Sequence, residues 1–142
     1  MTYTCFTIGY SGLWVGDLVR WAERQEVIVV DVRFSPRSRR PEWCKSRLMD
    51  RLGARYLWMG ETFGNKEYRS LDRDACDLAD PVRGVRIAAR LLQTRSICLL
   101  CLEANHWACH RAEVADLISE ETGVTLEPLT ARDLDMQGRL AL

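Results

Sequence analysis

Three of the six cysteines and both histidines of the chain fall within thirteen consecutive residues, Cys98 to His110. Three chemistries compete for such a cluster. Cys101, His106, Cys109 and His110 form a soft donor set of the kind zinc accepts. Against a metal, Cys98 and Cys101 lie three apart on a predicted strand, which turns their side chains to opposite faces of a sheet. No metal site is expected. As a thiol, Cys109 precedes a predicted helix, where unpaired backbone N–H groups and the helix dipole favour a thiolate. His110 and Arg111 add positive charge and Glu103 a carboxylate, so acid, thiol, imidazole and guanidinium converge at one strand end. The bland alternative makes Cys98 and Cys101 strand core, Cys109 a helix-start residue and Arg111 a solvated side chain. The convergence favours a site.

A second constellation is Asp31-Val32-Arg33 followed by Pro36, Ser38, Arg39 and Arg40. A carboxylate closing a buried strand is costly unless paired, and Arg33 or Arg111 is the expected partner. Arg33, Arg37, Arg39 and Arg40 set four guanidinium groups within eight residues, and their forked donors suit phosphate or carboxylate oxygens. The competing reading is a solvated surface loop. The third constellation is Thr7-Ile8-Gly9-Tyr10-Ser11-Gly12, whose glycines let backbone approach a ligand and whose Ser11 is expected to cap the next helix. It lacks the glycine spacing of a dinucleotide fingerprint and the lysine of a P-loop.

These loops need elements to hold them. Cys5 to Gly9 reads as a strand, followed by a helix with Trp14, Leu18, Trp21 and Ala22 at buried spacing. Val27 to Val32 is a β-branched run, the pattern of a central strand covered on both faces. Pro41 opens a helix through Cys44, Leu48, Met49 and Leu52 that Gly53 closes. Arg55 to Met59 is a third strand, and residues 60 to 80 form a polar connection. Pro81 starts a helix with Val82, Val85, Ala89 and Leu92 on its buried side. Ile97 to Leu102 is a strand, Cys109 to Thr122 a helix capped by Gly123, and Thr125 to Leu129 a last strand. Trp58 and Trp107, near strand ends, are candidates to line a cleft or stack on a base. Strands alternating with amphipathic helices indicate an α/β domain, a three-layer sandwich with a mainly parallel sheet of about five strands. In such sheets ligands bind beyond the carboxyl ends of the strands, where all three constellations fall.

The 142 residues suit one domain, residues 1–142. Apolar residues make up 47% and charged residues 28%, a globular composition. Twenty basic and twenty acidic residues cancel, so anion recognition must come from a local patch. No signal sequence or apolar span is visible, so a cytoplasmic location, no membrane partner and reduced thiols are expected.

The three constellations, in this order, resemble the domain of unknown function 488 family of bacterial and archaeal proteins. The match rests on Thr7-Ile8-Gly9-Tyr10-Ser11, on Asp31-Val32-Arg33 with Pro36, Ser38 and Arg39, and on Cys101-x-Glu103 followed by Cys109-His110-Arg111. The resemblance implies an α/β domain that gathers these residues in a pocket; it implies no reaction. Where the family usually has Leu-Gly-Gly after the third strand, this chain has Met59-Gly60-Glu61-Thr62-Phe63-Gly64.

The resulting expectation is an enzyme acting on an anionic, phosphorylated or nucleotide-like substrate. Arg33, Arg39 and Arg111 would bind the anion, with Ser11, Tyr10 and Ser38 beside it. Cys109 would be nucleophile or redox thiol, and Asp31, Glu103 and His110 would handle protons or orientation. The alternatives are a nucleic-acid-binding or regulatory module using the arginine loop on phosphates, and a thiol-based redox or metal sensor. Neither a cofactor nor an oligomeric state can be read from the sequence.

Overall fold

A computed structural model describes residues 3–72, 75–103 and 110–134. Five strands are found: β1 (Thr4–Gly9), β2 (Ile28–Asp31), β3 (Tyr56–Trp58), β4 (Ile97–Cys101) and β5 (Thr125–Pro128). They form one all-parallel sheet in the order β3-β2-β4-β1-β5. The crossover helices are α1 (Val15–Gln25), α2 (Lys45–Leu52), α4 (Pro81–Leu91) and α5 (Arg111–Thr122), with a short α3 (Gly60–Phe63) after β3.

Side-chain alternation along the strands builds two cores. Val29, Cys98 and Leu100 face α1 and α2, packing with Leu18, Trp21, Ala22, Leu48 and Leu52. Val30, Leu99 and Cys101 face the other way, packing with Ala88, Val114, Ala115 and Ile118 of α4 and α5. The three layers and the opposite facing of Cys98 and Cys101 are those expected from period-two strands. The β2 run is buried at every position because helices cover both its faces.

Several local readings need correction. Trp14 is not core but 59% exposed; α1 starts one residue later, and the indole lies along the helix surface over Gly16 with the Arg20 guanidinium 5.1 Å from its ring centroid. Ser11 does not cap α1, because Gly12 at φ +79° and the Leu13 N–H to Tyr10 carbonyl bond of 2.9 Å make a turn first, leaving Trp14 as N-cap. Pro41 opens a 3-10 turn, Pro41–Trp43, ahead of α2. Met49 and Val82 are exposed, since the inward faces of α2 and α4 are set by Leu48 and Leu52 and by Gly84 and Ala88. Phe63 fills the place against Gly84 that a larger residue would take.

Candidate functional site

The sheet's winding reverses around β4. The connections after β1 and β2 run over the α1/α2 face toward β3, and those after β3 and β4 run over the opposite face toward β5. The carboxyl ends of β1, β2 and β4 therefore lie at the reversal of winding, the place where open α/β sheets bind ligands. Backbone pairing continues past the strands, with the Tyr10 and Ser11 N–H groups donating to Cys101 and Leu102 carbonyls at 2.9 Å each.

Asp31 ends β2 with no exposed surface. Its carboxylate accepts from Arg33 Nε at 2.8 Å and Nη2 at 2.7 Å, from the Arg33 backbone N–H at 3.2 Å, and from the Tyr56 hydroxyl at 2.6 Å. Four donors fill the acceptor capacity of a carboxylate. Burial alone would lower the Arg33 pKa, but the hydrogen bond and charge of Asp31 outweigh it and raise the value. Burial first, then Asp31, raises that of the Tyr56 hydroxyl, which stays a donor. Arg33 also lies over the Tyr10 ring, its Cζ 5.3 Å from the centroid, while Nη1 is buried without a hydrogen-bond partner among the described residues. Tyr10 in turn stacks on Trp43 at 4.8 Å.

On the other face of the sheet, Arg111 is fully buried. Its Nη1 donates to Cys101 Sγ at 3.0 Å and to the Glu103 carbonyl. Burial lowers the Arg111 pKa to about 10, which leaves it cationic at neutral pH. His110, between the two groups, has Nε2 2.9 Å from the Val32 carbonyl. A carbonyl only accepts, so Nε2 carries the proton and donates. Burial is the main reason the imidazole pKa is lowered, which favours the neutral ring.

The three constellations thus meet at one edge of the sheet, as they do in the order of a known family. A family model for DUF488, a domain of unknown function, matches residues 18–118. The chain belongs to this family. No curated protein and no solved structure matches it.

Within this DUF488 chain the individual site residues separate by environment. Asp31, Arg33, Tyr10 and Arg111 are buried, whereas Arg39, Glu103 and Ser11 are exposed. Asp31 takes Arg33 rather than Arg111 as partner. Ser38 turns inward on its own loop, its Oγ accepting the Arg40 N–H at 3.1 Å. Arg40 is a strut rather than a free cation: it donates to the Tyr10 carbonyl at 3.2 Å and the Leu13 carbonyl at 2.6 Å, joining the second constellation to the third. Cys109, His106 and Trp107 lie outside the described residues.

The thiols are not all reduced. Cys5, Cys44, Cys76 and Cys98 are free, but Cys101 is disulfide-bonded. Thiol spacing carries no information on whether two sulfurs meet. Among the described residues no three His, Cys, Asp or Glu side chains gather as metal ligands, and no helix is long and apolar enough to cross a membrane.

Two contributors were not among the sequence candidates. Tyr56 sits opposite Val29 in the β2–β3 register, one pleat before the Asp31–Trp58 pair, so its hydroxyl reaches Asp31 diagonally. A tyrosine opening a strand beside an acid-ended strand is the signal that could have found it. Gly60 supports the arginine loop: the Trp58 indole donates to the Arg33 carbonyl at 2.8 Å, and a side chain at Gly60 would strike both groups. The departure from Leu-Gly-Gly retains a glycine where the loop rests on it.

Proposed function

We propose that this protein is a cytoplasmic enzyme acting on an anionic, phosphorylated or nucleotide-like substrate in the crevice beyond β1, β2 and β4. The observation that carries the reading is Arg33 Nη1, buried and without an acceptor among the described residues while the same guanidinium is fixed through its other nitrogens to Asp31. A buried donor left unpaired costs about 1–3 kcal/mol, which an incoming anionic oxygen would recover. Asp31 and Tyr56 orient that guanidinium in advance, and Arg39 and Arg111 add to the positive field. Tyr10, Ser11 and Ser38 border the substrate. Neutral His110 is in the form that accepts a proton, Glu103 is the exposed carboxylate beside Arg111, and Cys109 would supply the thiol in the reduced protein.

The test is a binding and turnover screen over phosphate esters and nucleotides. Arg33→Lys keeps a cation for Asp31 but lacks Nη1 and is expected to lose the saturable binding. Cys109→Ser is expected to keep binding and lose turnover; full turnover would remove the thiol from the mechanism. A second reading, a thiol-based redox protein, is favoured by the disulfide at Cys101. Disulfides in a reducing compartment are usually catalytic or sensing. Under that reading, reduction of the bridge, followed by mass spectrometry, changes ligand binding or activity, and an unchanged protein argues against it.

A further inference from the structure

Apart from the proposed crevice, a groove lies on the β3 side of the arginine loop. It is an open groove of about 510 Å³ between the segment after β2 and the first turn of α2, with Trp58 at one end. It shares no side chain with the Arg33, His110 and Arg111 cluster. Its walls are fixed before any ligand arrives: the Lys45 N–H donates to the Pro36 carbonyl at 3.1 Å, the Trp58 indole is held on the Arg33 carbonyl, and Gly64 lets the chain close against Phe34.

Among the described residues the lining combines two cations, two aromatic rings and no carboxylate. Lys45 Nζ stands 4.2 Å from the Trp58 ring centroid, and Arg37 is exposed on the opposite lip. Neither has a carboxylate partner among the described ion pairs. Phe34 is 39% exposed and is backed by Tyr68, with ring centroids 5.6 Å apart. Seryl hydroxyls of Ser35 and Ser46 complete the polar lining. Two unpaired cations match the charge of a phosphate monoester, which approaches two at neutral pH. The exposed Phe34 ring, with the half-buried Trp58 indole under Lys45, matches a planar ring, because stacking on aromatic rings accepts any base.

We infer that this groove binds a phosphate monoester carrying a planar ring, with its phosphate between Lys45 and Arg37 and its ring against Trp58 and Phe34. A nucleoside monophosphate is the simplest such ligand. Cys44, half-buried on the rim, is a built-in reporter of occupancy.

The full chain would be titrated with AMP, ribose 5-phosphate, adenosine and inorganic phosphate, with iodoacetamide labelling of Cys44 followed by peptide mass spectrometry. AMP is expected to bind about tenfold more tightly than ribose 5-phosphate and to slow Cys44 labelling. Lys45→Ala is expected to weaken AMP and ribose 5-phosphate by the same factor, about five- to tenfold. Trp58→Leu is expected to bring AMP down to the affinity of ribose 5-phosphate. Lys45 is half-buried and belongs to neither apolar core, so its variant stays informative if Trp58→Leu fails to fold. No saturable AMP binding overturns the inference. So does binding that leaves Cys44 labelling unchanged, ignores Lys45→Ala and disappears in Arg33→Lys, because that ligand occupies the crevice instead.

Discussion

Arg111 donates to the Sγ of Cys101 at 3.0 Å across ten positions of chain, from the first turn of α5 back to the last residue of β4. The same nitrogen also holds the Glu103 carbonyl. A guanidinium that reading by helix pattern assigns to solvent is thereby the buried clamp between β4 and α5. It also sets a positive charge beside a sulfur, which would favour the thiolate once the disulfide at Cys101 is reduced.

If Arg111 acts as a clamp, truncation and replacement should differ. Arg111→Ala is expected to destabilise the protein by about 3 kcal/mol, from the cavity and the acceptors left unpaired, Cys101 Sγ and the Glu103 carbonyl among them. Arg111→Met restores volume without a buried charge and is expected to cost less than about 1.5 kcal/mol. Urea denaturation of both variants checks this. Equal losses would mean that hydrogen bonding, not packing, dominates.

The Asp31 cluster should behave as one unit. Asp31→Asn leaves Arg33 buried without its counter-charge and is expected to cost about 3–5 kcal/mol. Tyr56→Phe removes one hydrogen bond to a charged acceptor, about 1.5–3 kcal/mol. Both act on the same carboxylate, so the double variant is expected to lose less than the sum of the two. Additive losses in a double-mutant cycle would show that Tyr56 and Asp31 are energetically independent.

The main elements were legible because their signals are local. A β-branched run made β2, prolines marked the start of the 3-10 turn before α2 and the start of α4 itself, and Gly53 and Gly123 ended helices with positive φ. Asp31–Arg33 was legible from the cost of burying a carboxylate. The full burial of Arg111 was not: a helix wheel assigns arginine outward, whereas the β4 sulfur and the Glu103 carbonyl that receive it are brought there by the tertiary fold. Trp14 and Val82 failed in the opposite sense, since an apolar side chain at a helix's first turn is buried only where a neighbouring element reaches it. Tyr56 depends on the β2–β3 register, which no short window contains.

His110 should give stability a pH dependence. Its folded pKa is lowered from 6.5, chiefly by burial. Between those two values the unfolded chain binds more protons than the native one, so stability rises with pH through that window and is lost on acidification. The native penalty is absent above the unfolded value and complete below the folded one. Comparing urea midpoints of wild type and His110→Gln from about pH 7 to about pH 5 isolates this group from the carboxylates. The variant is expected to gain on wild type as pH falls; a constant difference would mean that the ring does not titrate there.

Gly60 tests whether the connection after β3 positions the arginine loop. An added Cβ meets the Arg33 carbonyl and the Trp58 indole nitrogen, neither of which can move without breaking their 2.8 Å bond. Gly60→Ala is expected to cost about 1–3 kcal/mol, the range for overpacking, and to shift tryptophan emission as the indole loses its acceptor. An unshifted emission spectrum with unchanged stability would separate this turn from the loop.

Cys76 links residues 75–80 to α5 through a charge. Its thiol is only half-buried, yet its pKa is pushed up to about 12, first by burial and then by a hydrogen bond to Glu113 and that carboxylate's charge. At pH 8 only about one thiol in ten thousand would be ionised, and alkylation follows the thiolate. Cys76 is therefore expected to label far more slowly than its exposure suggests. Glu113→Gln removes the negative charge while keeping an acceptor, so labelling should accelerate several-fold at fixed pH. Cys5, whose pKa burial raises to about 12 without any contribution from Glu113, is the internal control and should not respond. Acceleration at both sites would indicate general loosening, whereas acceleration at Cys76 alone assigns the effect to the Glu113 carboxylate.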